Sequence, residues 1–132
     1  MTQEQNRGGS MTAGQKRFDD WLAGRAEQAG GRAAFLRADG RADESHWESI
    51  RRNVFSLFRD VLSAAQKANG GEEQAARRFF AEKLGAIPAS WETVLQRAER
   101  QEDTDRARVE RVKLDAAGEI RAALAALWEE QP

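Results

Sequence analysis

His46 is the only histidine of this 132-residue chain, and the residues around it are the first candidates for chemistry. In the tetrapeptide Asp43-Glu44-Ser45-His46, a carboxylate and an imidazole stand three positions apart, which places them on one side of a helix. Such a pair can ligate a metal or move a proton, but helical metal sites usually combine Glu-x-x-His pairs from two helices. Because the second histidine is missing, we predict that His46 faces solvent and that the protein uses no metal and no cofactor.

The usual machinery of nucleophilic catalysis is missing from the sequence. There is no cysteine and no tyrosine, and no serine stands in a Gly-x-Ser-x-Gly elbow. No glycine-rich loop is followed by Lys-Ser or Lys-Thr, the pattern that binds phosphates. We therefore expect a protein that is not an enzyme.

Residues 80–95, FAEKLGAIPASWETVL, have the spacing of a DNA-reading motif. The small residue Ala81 is followed four positions later by Gly85, and the apolar residues Trp91 and Val94 fall where a second helix would dock. The segment resembles the helix-turn-helix of bacterial repressors. That resemblance implies a regulator that binds DNA through residues 79–100, with these candidate contacts: Thr93, Gln96, Arg97 and Arg100.

An ordinary pair of core helices explains the same residues. Gly85 can end one helix, and Pro88 can begin the next, where its missing N–H costs nothing. The formal net charge of −1 provides no field that would draw the chain to phosphates. We favour this interpretation, in which Phe80, Trp91 and Leu95 are buried together, and we keep DNA binding as the alternative.

The rest of the chain has helical periodicity. Apolar residues recur at i, i+3 and i+4 spacing, which predicts helices over about 15–28, 32–38, 43–68, 72–84, 88–101 and 105–130. Asp43 is the predicted N-cap of the longest helix, and Asp103 or Thr104 that of the last. Glycine pairs at 30–31 and 70–71 are predicted to end two helices. The expected fold is an all-α antiparallel bundle of four main helices with one or two short additional helices.

Helix 43–68 carries the broadest apolar stripe of the chain. At 100° per residue the stripe covers roughly 160° of the helix, which is wide enough to contact several neighbours. We therefore predict that this helix is the centre of the core, with these residues on the stripe: Trp47, Ile50, Val54, Leu57, Phe58, Val61, Leu62 and Ala65.

Composition divides the chain into a polar leader and one domain. We predict that residues 1–12, which lack the apolar core of a signal peptide, are a disordered leader and that 13–132 form a single all-helical domain. No apolar run approaches the roughly 18 residues of a membrane span. The lack of cysteine fits a reducing compartment, so we expect a cytoplasmic protein. The preference for arginine over lysine is typical of a bacterial gene rich in GC.

Two apolar residues of the last helix suggest contact with another chain. Leu114 lies off the main stripe, and Trp128 stands four residues before the end of the sequence. Apolar groups on two sides of a helix indicate a second buried face, hence a possible interface of a homodimer at Leu114 and Trp128. The alternative is a broad last helix between two neighbours of the same chain. The expected function is non-enzymatic protein–protein contact, with a second copy or an unknown protein, and no membrane contact.

Overall fold

A computed structural model describes residues 11–129, and these residues form an all-α helical bundle without strands, as predicted. The helices are α1 (Ala13–Ala38), α2 (Ala42–Asn69), α3 (Glu73–Arg100) and α4 (Thr104–Leu127). The described range contains no additional short helix, because the predicted helices 15–28 and 32–38 are one helix, as are 72–84 and 88–101. None of the four is long and apolar enough to span a bilayer.

Two of the predictions concern the ends of the chain, namely the leader and the end of the last helix. Residues 1–10 of the predicted leader, and the predicted helix end at residue 130, lie outside the described residues. Thr12, which we had assigned to the leader, is the N-cap of α1, and its Oγ1 accepts a hydrogen bond from the Gln15 amide at 3.3 Å. The folded domain therefore includes Thr12.

The glycine pair at 30–31 lies inside α1 and does not end it, because α1 and α2 approach closely there. A Cβ atom added to Gly30 would lie 3.2 Å from Cδ of Arg52. One turn later, Oγ of Ser45 in α2 donates to the carbonyl oxygen of Ala33 at 2.7 Å. We infer that contact with α2 offsets the roughly 1 kcal/mol that each glycine costs inside a helix.

The connections between helices are short and lie close to their predicted positions. Gly40 and Gly70 have φ of +75° and +57° in the first two connections, and Glu102, with φ of +56°, takes the same left-handed conformation in the third. The predicted cap of α2 is wrong by two residues, because α2 begins at Ala42 after Arg41. Asp43 lies instead in the first turn, where a carboxylate interacts favourably with the helix dipole. Asp103 caps α4 as predicted.

Pro88 lies in the interior of α3, so the predicted helix end at Gly85 and helix start at Pro88 are both wrong. A proline has no N–H, and the carbonyl oxygen of Leu84, four residues earlier, therefore lacks its helical donor. Arg121 of α4 provides a replacement: its Nη2 donates to the Leu84 oxygen at 3.3 Å. The contact with α4 lets α3 run through the proline without leaving this carbonyl unpaired.

The main core is built around phenylalanines from three helices. Phe18, Phe58 and Phe80 are fully buried, and Phe80 meets the other two rings edge-on at centroid distances of 5.1 and 6.0 Å. Burial of each such ring contributes about 1.5–3 kcal/mol. The predicted common burial of Phe80, Trp91 and Leu95 holds only in part. Trp91 is half-exposed at the edge of this core, and Leu95 belongs to a separate small cluster.

Replacing Gly85 with alanine tests the continuity of α3. An added Cβ would meet nothing within 4 Å, so Gly85→Ala should raise the free energy of unfolding by about 0.5–1 kcal/mol. Gly70→Ala is the matched control, because its positive φ makes alanine strained and the protein less stable. Urea unfolding followed by circular dichroism measures both. A destabilised Gly85→Ala protein would indicate a turn at this position.

A double-mutant cycle tests the replacement donor at Pro88. Arg121→Ala should lower the free energy of unfolding by about 1 kcal/mol, because the Leu84 carbonyl loses its partner. In the Pro88→Ala background the restored amide can donate to this carbonyl, so the same substitution should cost only about 0.3 kcal/mol. Urea unfolding of the four proteins gives both costs. Equal costs in the two backgrounds would show that Arg121 does not replace the missing donor.

Candidate functional site

An apolar groove of about 280 Å³ lies between α2 on one side and α3 and α4 on the other. Leu57 on its edge is 37% exposed, and it is one of two large hydrophobic residues exposed in the described part of the chain. We call this site the α2 groove and define it by its seven lining residues: Ile50, Asn53, Val54, Leu57, Trp91, Val109 and Lys113.

The groove exists because α2 carries two apolar rows and the other helices fully cover only one. The covered row includes Phe55, Phe58 and Leu62. The second row occupies positions 47, 50, 54, 57 and 61, and its alternating spacing of three and four residues is typical of a helix that packs along another helix. Within this row only Val54, at 4% exposed, is buried. The remaining four positions form an apolar ridge that is only partly covered.

Trp91 of α3 forms the opposite wall, and a cation from α4 lies on its ring. Nζ of Lys113 is 4.9 Å from the ring centroid, a distance at which a cation is attracted to an aromatic face. The same Nζ lies 3.0 Å from Oε1 of Glu110 and donates a hydrogen bond to Oε2 at 3.2 Å. Because Glu110 is buried, its carboxylate needs this counter-charge. Lys113 therefore links a buried acid to the wall of the groove.

Two cations border the groove, and one of them, Lys113, is paired with the buried Glu110. At one end, the guanidinium of Arg108 lies 5.0 Å from the ring centroid of Trp47. Among the described residues, no carboxylate lies within ion-pair distance of Arg108. The seven lining residues themselves include one cation, Lys113, and no acid. An approaching chain would thus meet apolar side chains with Arg108, a cation without an acidic partner, at one end.

An ion-pair network outside the groove holds α4 against α1 and α2. Glu119 of α4 accepts hydrogen bonds from Arg25 of α1 and from Arg51 of α2, the latter at 2.8 Å. Both guanidinium groups also lie over the ring of Phe55, at 5.2 and 5.5 Å. Burial by itself would lower the pKa of Arg51, but bonding to Glu119 and the charge of Glu48 raise it above its ordinary value. These arginines are paired, so they are a structural clamp rather than an open anion site.

A larger depression, of about 380 Å³, lies at the connection between α3 and α4. Three of its charged groups are already engaged in contacts of the helix connection. Arg111 donates to Glu99 at 2.9 Å, and the Asp103 carboxylate accepts from the amide of Arg106 at 3.1 Å. We therefore regard it as a feature of the helix connection.

The predicted interface residues Leu114 and Trp128 lie within the chain's own packing. Trp128 is 1% exposed, and its Nε1 donates to Oε2 of Glu73 at 2.8 Å. Leu114 is half-buried against the small cluster of Leu95, Ala98 and Ala107. Neither residue lines the α2 groove. These contacts are of the kind that the alternative describes, in which a broad last helix lies between neighbours of the same chain, and the homodimer interface stays a prediction.

The four candidate DNA contacts share one exposed face of α3, and they are Thr93, Gln96, Arg97 and Arg100. The turn that should separate two helices is absent, because α3 is continuous from Glu73 to Arg100. The predicted helix-turn-helix geometry of residues 79–100 is therefore wrong.

His46 is exposed, and its ring contacts the neighbouring Trp47 at 5.2 Å. Nowhere in residues 11–129 do three or more histidine, aspartate or glutamate side chains come together as metal ligands would. Ser45, next to His46, donates to a backbone carbonyl in α1 and is committed to helix packing.

The groove escapes prediction when the whole apolar stripe of α2 is assigned to the core. A signal was present: the stripe contains a second row with its own three-and-four spacing, more than one face needs. No family model, curated protein or solved structure matches this chain. The candidate site therefore rests on its geometry and chemistry alone.

The link between Glu110 and Lys113 can be tested by removing its charges. Lys113→Met keeps the length of the side chain but leaves the buried carboxylate unpaired, so it should cost about 1–3 kcal/mol of unfolding free energy. The double variant Glu110→Gln/Lys113→Met should return to within about 1 kcal/mol of the original protein. Urea unfolding with tryptophan emission measures both. A cost for Lys113→Met that is the same with and without Glu110→Gln would contradict the pairing.

Proposed function

We propose that this protein is a non-enzymatic interaction protein that binds another polypeptide chain through the α2 groove. The observation that carries the proposal is the partly covered apolar ridge of α2, where Ile50 and Leu57 face Trp91 across an open groove. Aromatic residues are enriched and charged residues depleted at the cores of protein interfaces, and tryptophan is a frequent hot spot. The lining of the groove has this composition.

The size and chemistry of the groove favour a polypeptide over a small molecule. Its volume of about 280 Å³ lies just below the usual range of small-molecule pockets, about 300–1,000 Å³. Such pockets also direct several polar groups at the ligand, whereas here the polar lining residues are Asn53 and Lys113. Lys113 is already bonded to Glu110.

We also propose that neighbouring helices run antiparallel. The short connections support this arrangement, as does the hydrogen bond between Glu73, which begins α3, and Trp128, which follows α4. In such a bundle the α2 groove is open along one side. The proposed function includes self-association, since a second copy is one possible partner.

Site-specific photo-crosslinking tests whether the groove is occupied. A photoreactive amino acid at position 57, in cells that naturally produce the protein, should give discrete crosslinked species. The same amino acid at position 35 is the matched control. Phe35 is 65% exposed, more than Leu57, but its neighbours one turn away are Arg32 and Ala38 rather than other large apolar residues.

A second variant ties the crosslinks to the groove itself. Ile50→Arg places a charge on the apolar lining and should abolish the crosslinks formed at position 57, while the circular dichroism spectrum stays unchanged. Crosslinks of equal yield at positions 35 and 57, or crosslinks that persist with Ile50→Arg, would contradict the proposed function.

A further inference from the structure

We infer that the partner of the α2 groove is an acidic amphipathic helix that inserts one large apolar side chain between Leu57 and Trp91. The inference rests on the proposed function and adds the chemistry of the partner. Two properties of the groove support it, the spacing of the ridge and the charge at the rim. A third argument is that the exposed apolar residues of a second copy of this chain fit the groove poorly.

The ridge fits a helix better than an extended strand. From Trp47 to Val61 it runs straight for about 21 Å along α2. Its three-and-four spacing matches the ridges that helices present when they cross at about 20°. A peptide that binds by β-strand addition would need an open sheet edge, and the described residues contain no strand. The exposed residues beside the ridge, Asn53 and Ser56, are small and uncharged and allow a helix to approach closely.

The rim of the groove favours negative charge on the partner. Arg108 has no acidic partner among the described residues, and the seven lining residues include no carboxylate. A helix with Asp or Glu beside its apolar row would pair with Arg108 and would orient itself by that contact. Complementary charges of this kind speed association and select among partners more than they add affinity.

A second copy of this chain offers a poor match to the groove. Within residues 11–129, its two exposed large apolar residues are Phe35 and Leu57. Phe35 is flanked in sequence by Arg32 and Arg37, which would meet the cations of the rim. The side of α2 next to Leu57 carries one acid, Asp60, beside the uncharged Asn53 and Ser56. An acidic helix from a different protein fits the rim better.

Selection from a library of random displayed peptides, with the full chain as the bait, tests this chemistry. Enriched peptides should carry large apolar residues three or four positions apart and an excess of Asp and Glu. A labelled synthetic copy of an enriched peptide should bind more weakly as salt rises and should gain helical circular dichroism when bound. Fluorescence anisotropy gives the dissociation constants.

Three variants locate the contact. Leu57→Arg should weaken the enriched peptide at least tenfold, and Arg108→Glu several-fold with a smaller dependence on salt. Selection on the Arg108→Glu protein should enrich peptides with more Lys and Arg. Arg78→Glu is the matched control, because it reverses an exposed arginine far along α3 from Trp91 and should leave binding unchanged. Equal melting temperatures confirm that each variant is folded.

The inference is overturned if the enriched peptides are neutral or basic, or if their binding is the same with Leu57→Arg. It is also overturned if the crosslinks formed at position 57 join two copies of this chain, or join the groove to its own terminal residues. Crosslinks from the groove to its own terminal residues would also contradict the proposed function. In the other cases, groove-dependent crosslinks would still support it. Their absence would contradict the proposed function itself, so the two failures can be told apart.

Discussion

The apolar side chains of α2 must be kept from water, and the packing of the other three helices follows from this requirement. Phe55, Phe58 and Leu62 are removed from water by the other three helices, and this burial is a main source of stability. The other three helices cover only part of this apolar arc, which is roughly 160° wide. The part of the arc that stays half-exposed becomes the α2 groove. The core and the candidate site are thus two results of the same stripe.

Contacts with α4 hold α1 and α2 in place and accompany the continuous course of α3 through Pro88. The clamp of Glu119 with Arg25 and Arg51 holds α4 against α1 and α2. Arg121 of α4 donates to the carbonyl oxygen of Leu84, which Pro88 leaves without a helical donor, and α3 remains a single helix. Lys113, also on α4, lies over the ring of Trp91 and lines the groove. Charged side chains of one helix therefore position both the fold and the site, although each exposed pair by itself contributes little.

Much of the fold could be predicted from local pattern, and the errors have a common cause. Periodicity identified α2 almost to its ends, and it identified the connections near Gly40 and Gly70 because left-handed residues favour glycine. It failed at Gly30, Gly85 and Pro88, where local propensity indicated a break. At two of these positions a neighbouring helix makes a contact that a single segment cannot show: Arg52 lies against Gly30, and Arg121 bonds to the carbonyl before Pro88. The candidate site was missed for a similar reason, since exposure depends on which neighbours arrive.

Periodicity and residue type are enough to predict that the chain is helical, which residues can face a core and where charge is balanced. Which apolar residues are covered depends on the tertiary structure. It placed Trp128 inside the bundle and left Leu57 at the surface, although both belong to apolar stripes in the sequence. The physical reason is that burial is a property of packed helices, not of a single helix face. A stripe states what can be buried, and the neighbouring helices determine what remains to bind a partner.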